Sequence, residues 1–238
     1  MGSYDNIKRK IIILCPKNSH GEELLEVISN SGVTKIPEPH TIEFENTITG
    51  AEFFKGLKNE EYIENLRECL AANCNLEGFV IKVSLTFFNT PRERLGNKDK
   101  NKAVDSWLKI FGNKATFIYL DVKNFAYRVV NFTSKDKGIE GLLEAKKITP
   151  ETLEFNYKHY IRKEEENWST NNFEHRGQIV CVKAEDLIEN DEETWNDLEE
   201  HIDLKLAKRD IGVDIDKFQE HYRISMENLS MLNKLRKV

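Results

Sequence analysis

Two lysines stand directly behind apolar runs: Lys17 follows IIILCP, and Lys123 follows TFIYLDV. Behind Lys17 comes NSHGEELL, Asn18 to Leu25, in which Ser19, His20 and Gly21 precede Glu22 and Glu23 at the start of an amphipathic stretch. A strand that ends in a polar, glycine-containing turn and reopens as a helix points the first helical N–H groups at one spot. A lysine beside them makes that spot a cradle for an anion such as phosphate. Two acids, however, occupy the positions where such a loop carries small hydroxyl residues. The first turn of a helix favours carboxylates through its macrodipole. Beside a bound anion they would repel it by roughly 4 kcal/mol at 4 Å and an effective dielectric of 20. The stretch has the form of an anion cradle and carries an anion of its own. Lys82, inside the apolar run FVIKVSL, is a third candidate cation, since a strand-embedded ammonium must reach a partner or a cleft.

Four short segments rich in β-branched and aromatic residues predict the strands that position these groups: Ile11 to Cys15, FVIKVSL from Phe79, Thr116 to Val122, and Ile179 to Lys183. Nearly continuous apolar runs of this length suit strands buried on both faces. Helices are expected from Gly21, from about Asn59 to Cys74, from about Lys102 to Phe111, after Lys123 and after Pro150. A last one, at about residues 214–237, places Phe218, Tyr222, Met226, Leu229 and Leu232 on one face. That face suits packing on the helix's own domain, with a homodimer as the alternative. Alternating strands and helices imply βαβ units and a mostly parallel sheet whose ligand crevice lies at the carboxyl ends of the strands, where Lys17 and Lys123 fall. The polar stretch Pro91 to Lys102 reads as an exposed loop of the kind that serves as a lid.

The 238 residues suit a single α/β domain spanning 1–238. A net charge of -6, with both signs mixed along the chain, argues against nucleic acid as the main partner. Cys15, Cys69, Cys74 and Cys181 lack the paired spacing of zinc sites and read as reduced thiols, so no metal and a cytoplasmic location are expected. No run approaches the roughly 18 apolar residues of a membrane span, so no membrane is expected as a partner.

Several of these segments together resemble sulfotransferases that use 3'-phosphoadenylyl sulfate (PAPS), the bacterial trehalose sulfotransferases in particular. The family's P-[KR]-x-G-[ST]-T-x-L loop has its counterpart in Pro16-Lys17, Gly21 and Leu24-Leu25, and its following acidic turn in SGVTKIPEPH, Ser31 to His40. GFVIKVSLTFF from Gly78 is similar to the second strand with its embedded lysine. FIYLDVKNFAYRVVNF resembles the 3'-phosphate motif, Lys123-Asn124 standing for Arg-Asn and Asn131 for its serine. IVCVKAEDL from Ile179 resembles the V-x-Y-E-D-L segment, with Ala184 in place of tyrosine.

The resemblance implies a P-loop-type, three-layer α/β fold with a central, mostly parallel sheet flanked by helices. It also implies PAPS as co-substrate and a small-molecule or carbohydrate hydroxyl as acceptor. Lys17 would neutralise the departing phosphate. Ser19, His20, Gly21, Glu22 and Glu23 would line the phosphosulfate loop, Lys123 and Asn131 would hold the 3'-phosphate, and Glu38 or His40 would take the acceptor's proton. Two registers are open, one placing Lys17 and the other Ser19 at the basic position of the loop. Glu22 and Glu23 replace the hydroxyl pair in either, which leaves a catalytically inactive binding or interaction protein of the same fold as the alternative. A nucleotide or small-molecule kinase is disfavoured by the lack of G-x-x-x-x-G-K-[ST]. Glu185 and Asp186 are expected to cap the following helix, and Arg128 to make an ordinary ion pair.

Overall fold

The computed structural model describes residues 4–16, 19–36, 59–85, 92, 95–96, 98–99, 103–124, 127–128, 149–162, 164 and 179–227. Five strands among them form one sheet: β1 (Arg9–Cys15), β2 (Thr34–Ile36), β3 (Gly78–Ser84), β4 (Thr116–Asp121) and β5 (Ile179–Lys183). Their order is β2-β3-β1-β4-β5, and every neighbouring pair is parallel. Helices α1 (Gly21–Ser29), α2 (Asn59–Asn73), α3 (Ala103–Phe111), α4 (Pro150–Asn156), α5 (Ala184–Ile188), α6 (Glu192–Ile202) and α7 (Ile215–Glu227) accompany them, α4 running on into a π-helical turn at Tyr157–Ile161.

Side chains of a strand alternate between faces, so a strand that is apolar throughout feeds two cores. Ile12 and Leu14 of β1, with Phe79, Ile81 and Phe117, pack against Leu66 and Leu70 of α2 and Trp107 and Phe111 of α3. Ile11, Ile13 and Cys15, with Val80, Ile118 and Leu120, pack against Leu24 and Ile28 of α1 and Trp195 and Leu198 of α6. The result is the expected three-layer α/β fold, helices on both sides of a parallel sheet. β5 departs from the expectation of burial on both faces: as an edge strand it leaves Cys181 exposed. The three-residue β2 at the opposite edge was too short to carry a periodic signal.

The strand order places the site. The chain leaves β1 for β2 and β3 on one side, then crosses over β1 to reach β4 and β5 on the other. The connection from β1 runs to α1 on one face and that from β3 runs to α3 on the other, so the crevice opens at the carboxyl ends of β1 and β3, with β4 beside β1 through Ile11↔Thr116 to Leu14↔Tyr119. The turn that ends at His20 follows β1, and the turn that carries Lys123 follows β4 next to it.

Candidate functional site

β1 ends at Cys15, and α1 starts six residues later at Gly21. Ser19 is buried and its hydroxyl donates to the Pro16 carbonyl at 2.7 Å, closing the turn on itself. His20 precedes the helix in the left-handed region, at φ 64° and ψ 26°, and its carbonyl accepts the Leu24 N–H. Gly21 lies against the end of β1. A Cβ there would sit 2.4 Å from Cys15 Sγ and 3.2 Å from Lys82 Cδ, so only a residue without a side chain lets the helix start this close to the sheet. Gly21→Ala is expected to lower stability by about 1–2 kcal/mol through overpacking, even though alanine is the better helix former. Gly21→Ala/Cys15→Ala, which removes the colliding sulfur, is expected to recover more than half of that loss. Denaturant unfolding of the four proteins of this cycle checks both statements.

Lys82 shares the α1 face of the sheet with Val80 and lies opposite Ile13 of β1. It pairs with the Glu22 carboxylate. Glu23 turns instead to the His20 ring, its Oε1 3.4 Å from Nδ1. Burial alone would raise the Glu23 carboxyl, but the hydrogen bond and charge of His20 outweigh it and hold its pKa below the ordinary carboxylate value. The two acids that obstruct the cradle on paper are each engaged by a neighbouring side chain.

At the end of β4, the Lys123 ammonium pairs with Asp186, whose hydrogen bond raises the lysine's pKa. The buried Glu185 carboxylate accepts the Lys123 N–H at 2.9 Å on one oxygen and the Asn124 N–H at 3.1 Å on the other. These acids therefore do not cap the following helix: α6 has Asp191 as its N-cap, whose carboxylate accepts the Thr194 N–H, and α5 has Lys183, with no side-chain cap. They reach sideways and fasten the turn after β4 to the start of α5. Arg128, which follows this turn, pairs with Glu164 at 2.7 Å, both side chains almost wholly buried, so it belongs to the interior rather than to an ordinary surface bridge.

Tyr127, unmarked by any motif, proves central. Its hydroxyl lies 2.8 Å from His20 Nε2, and its ring meets Phe218, His221 and Tyr222 of α7 at centroid separations of 5.2, 5.8 and 6.1 Å. Burial, followed by the Glu185 and Glu23 carboxylates, pushes its phenol pKa up, and burial beside His20 brings His221 down to about 4. The terminal helix thus packs on its own domain over its described part, through Phe218 and Tyr222, although Met226 is largely exposed.

The structure brings Ser19, His20, Gly21, Glu22, Glu23 and Lys82 together at one end of the sheet, with Lys123 two residues beyond the adjoining strand β4. Lys17, Glu38, His40 and Asn131 lie outside the described residues, as do Leu229 and Leu232 and most of the stretch Pro91 to Lys102. Among the described residues no three His, Cys, Asp or Glu side chains are placed to hold a metal ion, and no helix is long and apolar enough to cross a membrane. Several features fit a phosphate-bearing co-substrate: a helix N-terminus at the strand crevice, brought against the sheet by Gly21, and lysines from β3 and from the turn after β4. For the lysines to meet such an anion, Glu22 and Asp186 must yield their places.

No protein-family model matches the chain, and no curated protein matches it. Among solved structures it is similar to the sulfotransferase domain from the curacin biosynthetic pathway, with 15% identity over 84% of this chain and 76% of that one and a TM-score of 0.46. The sulfotransferase domain of the Synechococcus PCC 7002 olefin synthase shares 12% identity over 89% and 79% of the two chains, with a TM-score of 0.46. A gluconokinase from Sinorhizobium meliloti 1021 shares 11% identity over 75% and 83%, with a TM-score of 0.33.

Proposed function

We propose that the chain is a sulfotransferase-like protein, more narrowly of the bacterial trehalose-sulfotransferase type. In this reading it moves the sulfuryl group of PAPS to a hydroxyl of a small or carbohydrate-like acceptor in the cytoplasm. The observation that supports it is the junction of β1 and α1, where Gly21 packs against Cys15 of β1 and Lys82 of β3, so that the first helical turn starts at the carboxyl ends of these two strands. PAPS supplies an activated sulfuryl group on a good leaving phosphate. The chain's own residues do the rest. Ser19, Gly21 and the backbone of the first turn of α1 hold the 5' end, and Lys17 offsets the charge that grows on the phosphate as the sulfur–oxygen bond breaks. Lys123 and Asn131 hold the 3'-phosphate, and Glu38 or His40 accepts the proton as the acceptor oxygen bonds to sulfur.

A second reading, a binding protein that no longer catalyses, is favoured by the Glu22–Lys82 and Asp186–Lys123 pairs, which fill two cation positions from within the chain. Calorimetric titration with adenosine 3',5'-bisphosphate, followed by incubation with PAPS and a set of sugar alcohols, separates the two. Binding with sulfate transfer supports the enzyme, binding without transfer supports the second reading, and absence of binding removes the enzyme and leaves an inactive interaction protein. Glu22→Gln keeps the side chain's shape while releasing Lys82, and it is expected to tighten the bisphosphate about tenfold, roughly 1.4 kcal/mol. Unchanged affinity would show that Glu22 does not compete for the site.

A further inference from the structure

His20 is the N-terminal flank of α1, yet its side chain makes no cap to its own helix. It adopts a left-handed conformation in which glycine or asparagine is the common choice. Its ring is spent elsewhere. Nδ1 faces Glu23 Oε1 at 3.4 Å and Nε2 faces Tyr127 Oη at 2.8 Å. A carboxylate can only accept, so Nδ1 carries the hydrogen, and whenever the ring is neutral Nε2 is left to accept from the phenol. Tyr127 is buried at 2% exposure, and its ring is held from the other side by Phe218, His221 and Tyr222 of α7.

The line continues beyond the phenol. The Tyr127 N–H donates to Asn124 Oδ1 at 3.4 Å, and the Asn124 N–H in turn donates to Glu185. Glu23, His20, Tyr127, Asn124 and Glu185 therefore connect the turn after β1 to the turn after β4 and to the start of α5. These are the two turns from which the anion-holding groups of the proposed site extend.

We infer that His20 and Tyr127 are positioning residues: their hydrogen bond holds the turn after β1 in its left-handed shape and locks it to the turn after β4, so that both present their donors as one unit. The inference rests on the reading of these turns as the anion site. Neither residue need touch the ligand. His20 acts through the backbone of Gly21 and the first turn of α1, and Tyr127 acts through His20.

Two measurements on the full chain test it. The first needs no ligand: long-range proton–nitrogen spectra of protein labelled in its six histidines, with His20 identified by the signal missing from His20→Gly. The wild type is expected to show His20 as the single Nδ1–H tautomer, and Tyr127→Phe, which keeps the ring and removes the hydroxyl, is expected to show a mixture. A mixture or an Nε2–H tautomer in the wild type would overturn the clamp. The second is titration with adenosine 3',5'-bisphosphate. Tyr127→Phe and His20→Gly are each expected to bind five- to twentyfold more weakly, and the double variant no more weakly than the worse of the two. Glycine is the residue best suited to the left-handed turn, so a His20→Gly protein that binds as the wild type does would show that the backbone alone sets the loop, and the positioning role would fall. Absence of binding by the wild type would overturn the anion-site reading and the positioning role built on it, while the tautomer still decides whether the clamp exists.

Discussion

Arg128→Met is expected to destabilise the protein by about 3–5 kcal/mol, the largest effect of any single change considered. Arg128 and Glu164 retain only 6% and 2% of their side-chain exposure, and Nη2 meets Oε2 at 2.7 Å. Removing the guanidinium takes away the cation that meets this buried carboxylate at 2.7 Å, and the penalty for weakening the compensation of a buried charge is what the unfolding curve reads. The pair itself is a different matter. Two charges taken out of water recover little more than their desolvation cost, so Arg128→Met/Glu164→Leu is expected to regain most of the loss. Guanidinium unfolding of the wild type, both single variants and the double variant closes the cycle. A loss of less than 1 kcal/mol for Arg128→Met would mean that the carboxylate reaches solvent.

Glu185→Ala is expected to cost about 2–4 kcal/mol, for a related reason. Its two oxygens take the N–H groups of Lys123 and Asn124, and the side chain is 3% exposed. Bonds to a charged acceptor contribute roughly 1.5–3 kcal/mol each, and truncation strands two donors in a place with little water. Glu185→Gln keeps one acceptor but turns an NH2 group towards the other donor, so about half the loss is expected. The local signature is sharper than the global one. Amide hydrogen exchange at Lys123 and Asn124 should accelerate in both variants, more in Glu185→Ala, while the central residues of β1 keep their protection. Unaltered exchange at these two amides would remove Glu185 as the fastening of the turn.

These predictions fall on residues that the sequence marked in unequal degree. Apolar runs at Ile11, Phe79 and Thr116 revealed three central strands because a strand covered on both faces must be apolar at nearly every position. The run at Ile179 revealed a strand but not its place at the sheet's edge, where Cys181 is exposed. The glycine of NSHGEELL announced a close approach without naming what approaches. Lys82 announced a need for a partner, and only packing identified that partner as Glu22. Tyr127 carried no signal at all, since a tyrosine in FAYRVV looks like any amphipathic core residue until His20, 107 positions earlier, is placed against it.

By itself the sequence determined the class of fold, three apolar two-faced strands, the helices between them, and the loop at the end of the first strand. All are local: periodicity, strand length and turn chemistry act between residues a few positions apart. Strand order, and with it the crevice at the ends of β1 and β3, was decided only in three dimensions. So was the engagement of Lys82, Lys123 and Arg128: Glu22 on Lys82, Asp186 on Lys123 and Glu164 on Arg128 are pairings of charges separated by 60, 63 and 36 positions. A charge in a sequence states that an opposite charge or water must be near. Which one it meets depends on how strands cross in the sheet, because the electrostatic energy depends on distance through space and not on separation along the chain.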